Sequence, residues 1–221
     1  MKKKIALVLG GCGFLDGSEI RESVATLWAL STIGAEAHCF SPDKIQVDVI
    51  DALKNEPMMG VTPRNLLTEA SRIARGKIRA LEEIHANKFD GIIFPGGFGV
   101  AKNFCTFATQ GANGTVAEDI AHVLDSFKIA SKPIGAICIS PALVAMTFKN
   151  KNFELTIGPA SDASKAIESL GHRHFPTKAN ECHIDQKNKI VSTPAYMIEN
   201  APLHEIFDGI RKTVSAVVEM G

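Results

Sequence analysis

The chain has no excess of either charge: 24 lysines and arginines stand against 24 aspartates and glutamates. No basic field is available to hold a phosphate backbone, so nucleic acid is excluded as an expected partner, and no acidic tail is present. Long apolar runs are missing as well. Three lysines precede an apolar stretch at the start, but residues 5–9 are too short for a signal-peptide core and glycines follow at once. Nothing elsewhere approaches a membrane span. A soluble, cytoplasmic protein with no membrane partner is expected. The five cysteines (Cys12, Cys39, Cys105, Cys138 and Cys182) are odd in number and lack paired metal-ligand spacing, which argues against a disulfide framework and a zinc site. Internal repeats and low-complexity linkers are also absent. The partners left are a small molecule and a second copy of the chain.

What is present is enough apolar material, 45% of 221 residues, for one substantial core. A single domain over residues 1–221 is expected. Residues 4–9 read as a short buried strand followed by a glycine-rich loop over 10–17. Asp16 and Glu19 form a capping-box pattern for a helix that turns its Ile20, Val24 and Leu27 face inward and stops near Gly34. A second strand spans 35–40. Thr62 and Pro63 suit the start of a helix over 63–74. The apolar run of residues 91–94 ends abruptly at Pro95-Gly96-Gly97-Phe98-Gly99. A helix over 116–129, a strand over 133–137, further strands over 153–157, 181–184 and 189–192, and a closing helical stripe from Leu203 to Val217 complete the pattern. Short apolar strands alternating with helices predict an α/β fold with a mostly parallel sheet covered on both faces. Ligands bind such sheets at the carboxyl ends of the strands. Three glycine-rich or abrupt turns fall there: after Leu9, after Phe94 and after Ile137.

The last of these turns carries the chemistry. Around Cys138 the chain passes from strand to helix with almost no loop, which holds the corner residue in strained geometry above the sheet. The helix that follows directs free N–H groups and its positive dipole end at the corner, and both favour a thiolate. The competing reading is a small, inert buried thiol. Gly96 and Gly97 let backbone approach a ligand, and the Gly97 and Ile139 N–H groups are candidates for an oxyanion hole. Cys12, Gly96, Asn103 and Thr193 are taken as pocket-lining residues. The loop at residues 11–17 fails as a dinucleotide fingerprint because Asp16 occupies the third glycine position. His172, His174 and His183 follow the corner, but a base must first come within hydrogen-bond reach. Two histidines are too few for a metal site.

The combination of FPGGFG, AICISPAL and KIVSTPAYM resembles the class I glutamine amidotransferase-like superfamily, in its glyoxalase and protein-deglycase branch. With GCGFLDGSEIRES and FSPDKIQVDVI, the likeness narrows to the ElbB type, a family associated with isoprenoid biosynthesis, and it covers essentially the whole chain. The resemblance implies a flavodoxin-like three-layer sandwich with a nucleophile elbow, a homodimer, and cofactor-independent, glutathione-independent turnover of glyoxal, with methylglyoxal as a second substrate. It also implies a first-helix glutamate beside the nucleophile, which falls on Glu22; Glu19 is the competitor. The chain departs from the pattern in one respect. It has no late H-x-E, Ile139 follows the cysteine where some relatives have histidine, and residues 155–159 supply none either. Glutamine hydrolysis is therefore poorly supported. The implied chemistry is attack of Cys138 on a small reactive aldehyde, with Glu22 carrying the proton or stabilising the thiolate, and no metal or other cofactor. The alternative is a redox-sensing or accessory protein with an oxidisable cysteine.

Overall fold

The computed structural model describes residues 2–221. A seven-stranded sheet forms the middle layer. Its strands are β1 (Lys4–Val8), β2 (Glu36–Ser41), β3 (Ile78–Ala80), β4 (Gly91–Phe94), β5 (Ile134–Ile137), β6 (His183–Asp185) and β7 (Ile190–Thr193). They lie in the order β6-β7-β5-β4-β1-β2-β3. All pairs are parallel except β6–β7. Ile5, Leu7 and Leu9 enter one apolar cluster and Ala6 and Val8 the other, as the two-residue period of a strand requires. Both faces are therefore core, and β4, β5 and β7 are buried throughout.

The helices of eight or more residues are α1 (Ile20–Thr32), α2 (Leu66–Ile73), α3 (Glu118–Ile129), α4 (Ser140–Thr147), α5 (Asp162–Ser169) and α6 (Leu203–Met220), and a single helical turn spans Phe107–Gln110. Helices α1 and α6 pack on each other over one sheet face, where Ala25, Ala29 and Leu30 meet Ile206, Ile210 and Val214. The other face is covered by α3 and α4 through Ile120, Leu124, Phe127, Leu143 and Val144. This is the expected three-layer α/β sandwich. The chain runs from β1 outward to β3 and then returns to β4 on the other side of β1. That reversal opens a crevice at the carboxyl ends of β1 and β4.

Several boundaries differ from expectation. Asp16 does not cap α1. Its carboxylate accepts the Ile50 N–H at 2.9 Å and a Gln46 Nε2–H at 3.4 Å, and Glu19 caps the helix instead through the Glu22 N–H. Helix α2 begins at Leu66 behind the cap Asn65 rather than at Pro63. The expected strand over 153–157 shrinks to Glu154–Leu155, which pairs with Arg173–His174 outside the main sheet. An antiparallel ribbon of Ile50–Asp51 and Glu56–Pro57 and the edge strand β3 were hidden in the mixed polar stretch before β4.

The largest surprise is the rotation of α1. Its buried side carries Glu22, Ser23, Ala25, Thr26, Ala29 and Leu30, whereas Ile20, Val24 and Trp28 are 45%, 47% and 51% exposed. Small side chains let this helix lie close to α6 and the sheet. Of the expected inward face, Ile20 and Val24 point outward with Trp28, and only Leu27 packs partly against the core. Among the described residues, no helix is long and apolar enough to cross a membrane.

Candidate active site

Cys138 occupies the corner between β5 and α4 with φ of 63°, a left-handed conformation unusual for a residue with a Cβ. Such geometry costs about 1–3 kcal/mol and persists only where the surroundings enforce it. Here the Cys138 N–H donates to the Thr193 carbonyl of β7 at 2.9 Å, and Ser140 Oγ, at the first position of α4, donates to the Pro95 carbonyl at 2.9 Å. The corner is thus tied to both neighbouring strands. The residue is 7% exposed.

Two glycine turns interlock beside it. The Gly99 N–H donates to Gly17 O at 2.9 Å, the Phe98 N–H to Phe14 O at 2.8 Å, and the Glu19 N–H to Gly96 O at 2.9 Å. A Cβ on Gly97, which has φ of +100°, would collide with the Gly17 carbonyl. Only glycine allows the loop after β4 to run this close to the loop after β1.

Glu22 is fully buried beneath this junction. Its Oε2 accepts the Gly96 N–H at 2.8 Å and its Oε1 the Tyr196 N–H at 3.4 Å, and the Cys138 thiol lies beside the carboxyl group and interacts with it. Burial, reinforced by the nearby charge of Glu19, raises the Glu22 carboxyl from 4.5 to about 8. The Cys138 thiol is pushed up as well, first by burial and then by Glu22. The Gly97 and Ile139 N–H groups beside it oppose this rise. The expected preference for a thiolate therefore acts through those two donors but is outweighed by desolvation. Between them, acid and thiol hold their protons strongly.

A cavity of about 820 Å³ opens above Cys138. Gly97 and Ile139 line it, with Phe14, Phe98, Ala101 and Phe107 as apolar wall and Glu19, Arg21, Tyr196 and Glu199 as its charged and polar groups. Gly96, expected on the lining, sits behind the site. A Cβ there would strike that of Cys138 and come 2.8 Å from Glu22 Oε2. Asn103 is also displaced from its expected place, because its amide clamps the N-terminal loop through Val47 N–H to Oδ1 at 2.8 Å and Nδ2–H to Asp16 O at 3.1 Å. Thr193 supports the Cys138 amide from β7 and is itself buried. Cys12 lies off the cavity on the α2 side, its thiol pushed up by burial and by Glu69.

None of the three late histidines lines the cavity. His172 Nδ1 accepts the Phe153 N–H, and its Nε2 lies 3.0 Å from Ala145 O. His183 pairs with Glu154 at 3.0 Å, and His174 Nε2 faces the Ile157 N–H. Among the described residues, no group of three histidine, cysteine, aspartate or glutamate side chains is placed to hold a metal. Sequence reasoning missed Arg21 and Tyr196. The signal for Tyr196 was its position inside the KIVSTPAYM motif, directly after β7.

No family model matches the chain. A human protein, glutamine amidotransferase-like class 1 domain-containing protein 3, mitochondrial, is 46% identical over 226 residues, covering 98% of this chain and 83% of its own length. A crystal structure of an isoprenoid biosynthesis protein with an amidotransferase-like domain from Ehrlichia chaffeensis superimposes with a TM-score of 0.90 at 36% identity, over 99% of both chains. DJ-1beta of Drosophila melanogaster shares the fold, with a TM-score of 0.56 at 16% identity over 99% of this chain and 97% of its own. The expectation of a cytoplasmic protein is overturned by these comparisons: the human relative is named as mitochondrial.

Proposed function

The chain belongs to the family of glutamine amidotransferase-like class 1 domain-containing protein 3, and from that premise we propose that it is a cofactor-independent glyoxalase-type enzyme acting on small reactive aldehydes. The observation that carries this reading is the buried Glu22–Cys138 pair beneath two convergent backbone donors at the floor of a cavity. The sequence likeness to ElbB-type glyoxalases supports it further.

With one proton shared between the two groups, the nucleophilic arrangement has that proton on Glu22 and the charge on sulfur. The Cys138 sulfur bonds to one aldehyde carbon of glyoxal as the carbonyl π bond breaks, and the Gly97 and Ile139 N–H groups hold the resulting oxyanion. That oxygen takes the proton from Glu22, giving a hemithioacetal. The carboxylate then removes the hydrogen from the sulfur-bearing carbon, giving an enediol as the aldehyde oxygen takes up that proton. The proton of the first hydroxyl is carried by Glu22 to the neighbouring carbon as the first C–O becomes the thioester carbonyl. One carbon is oxidised and the other reduced, so no external electron acceptor is needed. Water hydrolyses the thioester to glycolate and restores the thiol. Glu22 serves as proton carrier where the chain lacks a histidine. Cys138→Ser is expected to abolish glycolate formation from glyoxal while leaving the thermal melt cooperative. Turnover retained in that variant would sink the mechanism. The alternative is a redox sensor whose Cys138 is oxidised rather than turned over; negligible aldehyde turnover together with selective oxidation of Cys138 would favour it.

For the partner, we propose a second copy of the chain covering the outward stripe of Ile20, Val24 and Trp28. A contiguous apolar helix face of this kind is rarely left in water. Ile20 also belongs to the cavity wall, so the stripe continues into the site.

A further inference from the structure

The cavity is far larger than glyoxal needs. Its volume of about 820 Å³ lies within the range of roughly 300–1,000 Å³ typical of sites that enclose drug-sized ligands, whereas glyoxal is the smallest dialdehyde and leaves most of it unfilled. The walls away from Cys138 are apolar: Phe14, Phe98, Phe107, Ala101, Ala108 and Met197. The charged groups give no net pull on an anion, since Arg21 stands against the carboxylates of Glu19 and Glu199. Arg21 is already engaged by the Tyr196 hydroxyl at 3.0 Å, and Glu19 accepts the Glu22 N–H. A phosphorylated or carboxylated substrate would therefore meet two glutamates against one arginine, one of whose five N–H donors is already spent on Tyr196.

We infer that the preferred substrate is a neutral 2-oxoaldehyde with an alkyl or aryl body, its aldehyde carbon at Cys138 and its apolar body against Phe98, Phe107 and Met197. The inference rests on the aldehyde reading above and deepens it. Ala101 and Ala108 leave the room that the body occupies, which makes them specificity-determining positions. Ala108 is solvent-exposed on its helical turn, so a larger side chain there narrows the cavity without disturbing the core.

The experiment compares kcat/KM for glyoxal and hexylglyoxal in the wild type and in Ala108→Phe. Each buried methylene contributes about a threefold to fourfold gain, so hexylglyoxal is expected to exceed glyoxal by at least about tenfold. Ala108→Phe is expected to cut that ratio by about fivefold or more. Binding of hexyl methyl ketone, which cannot be carried through the reaction, is measured in parallel by calorimetry. Turnover of both aldehydes with no gain from the hexyl group overturns the inference and leaves the glyoxalase reading standing. Absence of all turnover, with ketone binding that Ala108→Phe weakens, removes the glyoxalase reading and supports the apolar-ligand pocket. The absence of both the hexyl gain and ketone binding overturns the pocket assignment outright.

Discussion

The Gly96 N–H donates to Glu22 Oε2 at 2.8 Å, and the same carboxyl group meets the thiol of Cys138. The loop after β4 thus holds the acid, and the corner after β5 holds the nucleophile. Neither group is free to turn away from the other. The acid is buried because α1 presents its polar, small-residue side to the sheet.

That burial makes stability depend on pH in a defined sense. Glu22 titrates at about 8 in the folded protein against 4.5 when solvated, so the folded state retains a proton that the unfolded state has released. Stability is full at low pH and falls as pH rises from about 4.5 through about 8, by an amount on the order of a few kcal/mol. Denaturant melts of Glu22→Gln are expected to lose most of this slope and to show the variant more stable than wild type above pH ~8. An unchanged slope would mean that the carboxyl ionises freely.

The same titration sets the rate profile. The pair acts after losing the first of its two protons, so kcat/KM for aldehyde turnover is expected to rise with pH towards a plateau above about 8. Glu22→Gln is expected to lower kcat/KM at least about a hundredfold and to move the rise to higher pH, where the thiol must ionise without the acid. A flat wild-type profile contradicts the shared-proton arrangement.

Gly96→Ala tests the close packing behind the nucleophile. The new methyl group meets the Cys138 Cβ, Glu22 Oε2 and Ile137 O, and the last of these is backbone. A loss of about 1–3 kcal/mol is expected, together with loss of activity. Gly34→Ala is the control. It has φ of +74° and nothing within 4 Å of the added carbon, so strain of about 1–2 kcal/mol is its only cost and activity is kept. Equal activity in the two variants would show that Gly96 does not seat the pair.

Asn103→Ala leaves the Val47 N–H and the Asp16 carbonyl without their partner. Destabilisation of about 1–3 kcal/mol is expected. Hydrogen exchange is expected to quicken at Val47 and Ile50 before it changes in the sheet. Uniform protection would mean that the clamp carries little.

The proposed assembly is checked at Trp28. Wild type is expected to sediment as a dimer and Trp28→Glu as a monomer, with the α/β circular dichroism spectrum retained. A monomeric wild type removes the second copy from the outward stripe of α1.

Much of this was legible in the sequence. Short apolar strands such as 91–94 and 133–137 are buried on both faces, so composition alone marked them and the parallel sheet. The corner at Cys138 and the glycines at 96 and 97 were legible because backbone geometry restricts the residues that fit there. The inward side of α1 was not. Its apolar stripe followed helical periodicity, but tertiary contacts selected the small and polar face, and only family resemblance pointed to Glu22. Asn103 and Thr193 were misread for a related reason. Their hydrogen-bond partners, Val47 and Asp16 in one case and the Cys138 N–H in the other, are remote in sequence and leave no local pattern.

The bond from the Cys138 N–H to the Thr193 carbonyl bears on how the protein is made. Thr193 ends β7, which follows the nucleophile by α4, a two-stranded ribbon, α5 and the edge strand β6. While the polypeptide is emerging from the ribosome, the corner therefore lacks the partner that holds its left-handed geometry until Thr193 has been translated. A nascent chain halted before residue 193 would carry the cysteine without the reactive environment, so the thiol's chemistry would begin only after β7 has been made and paired.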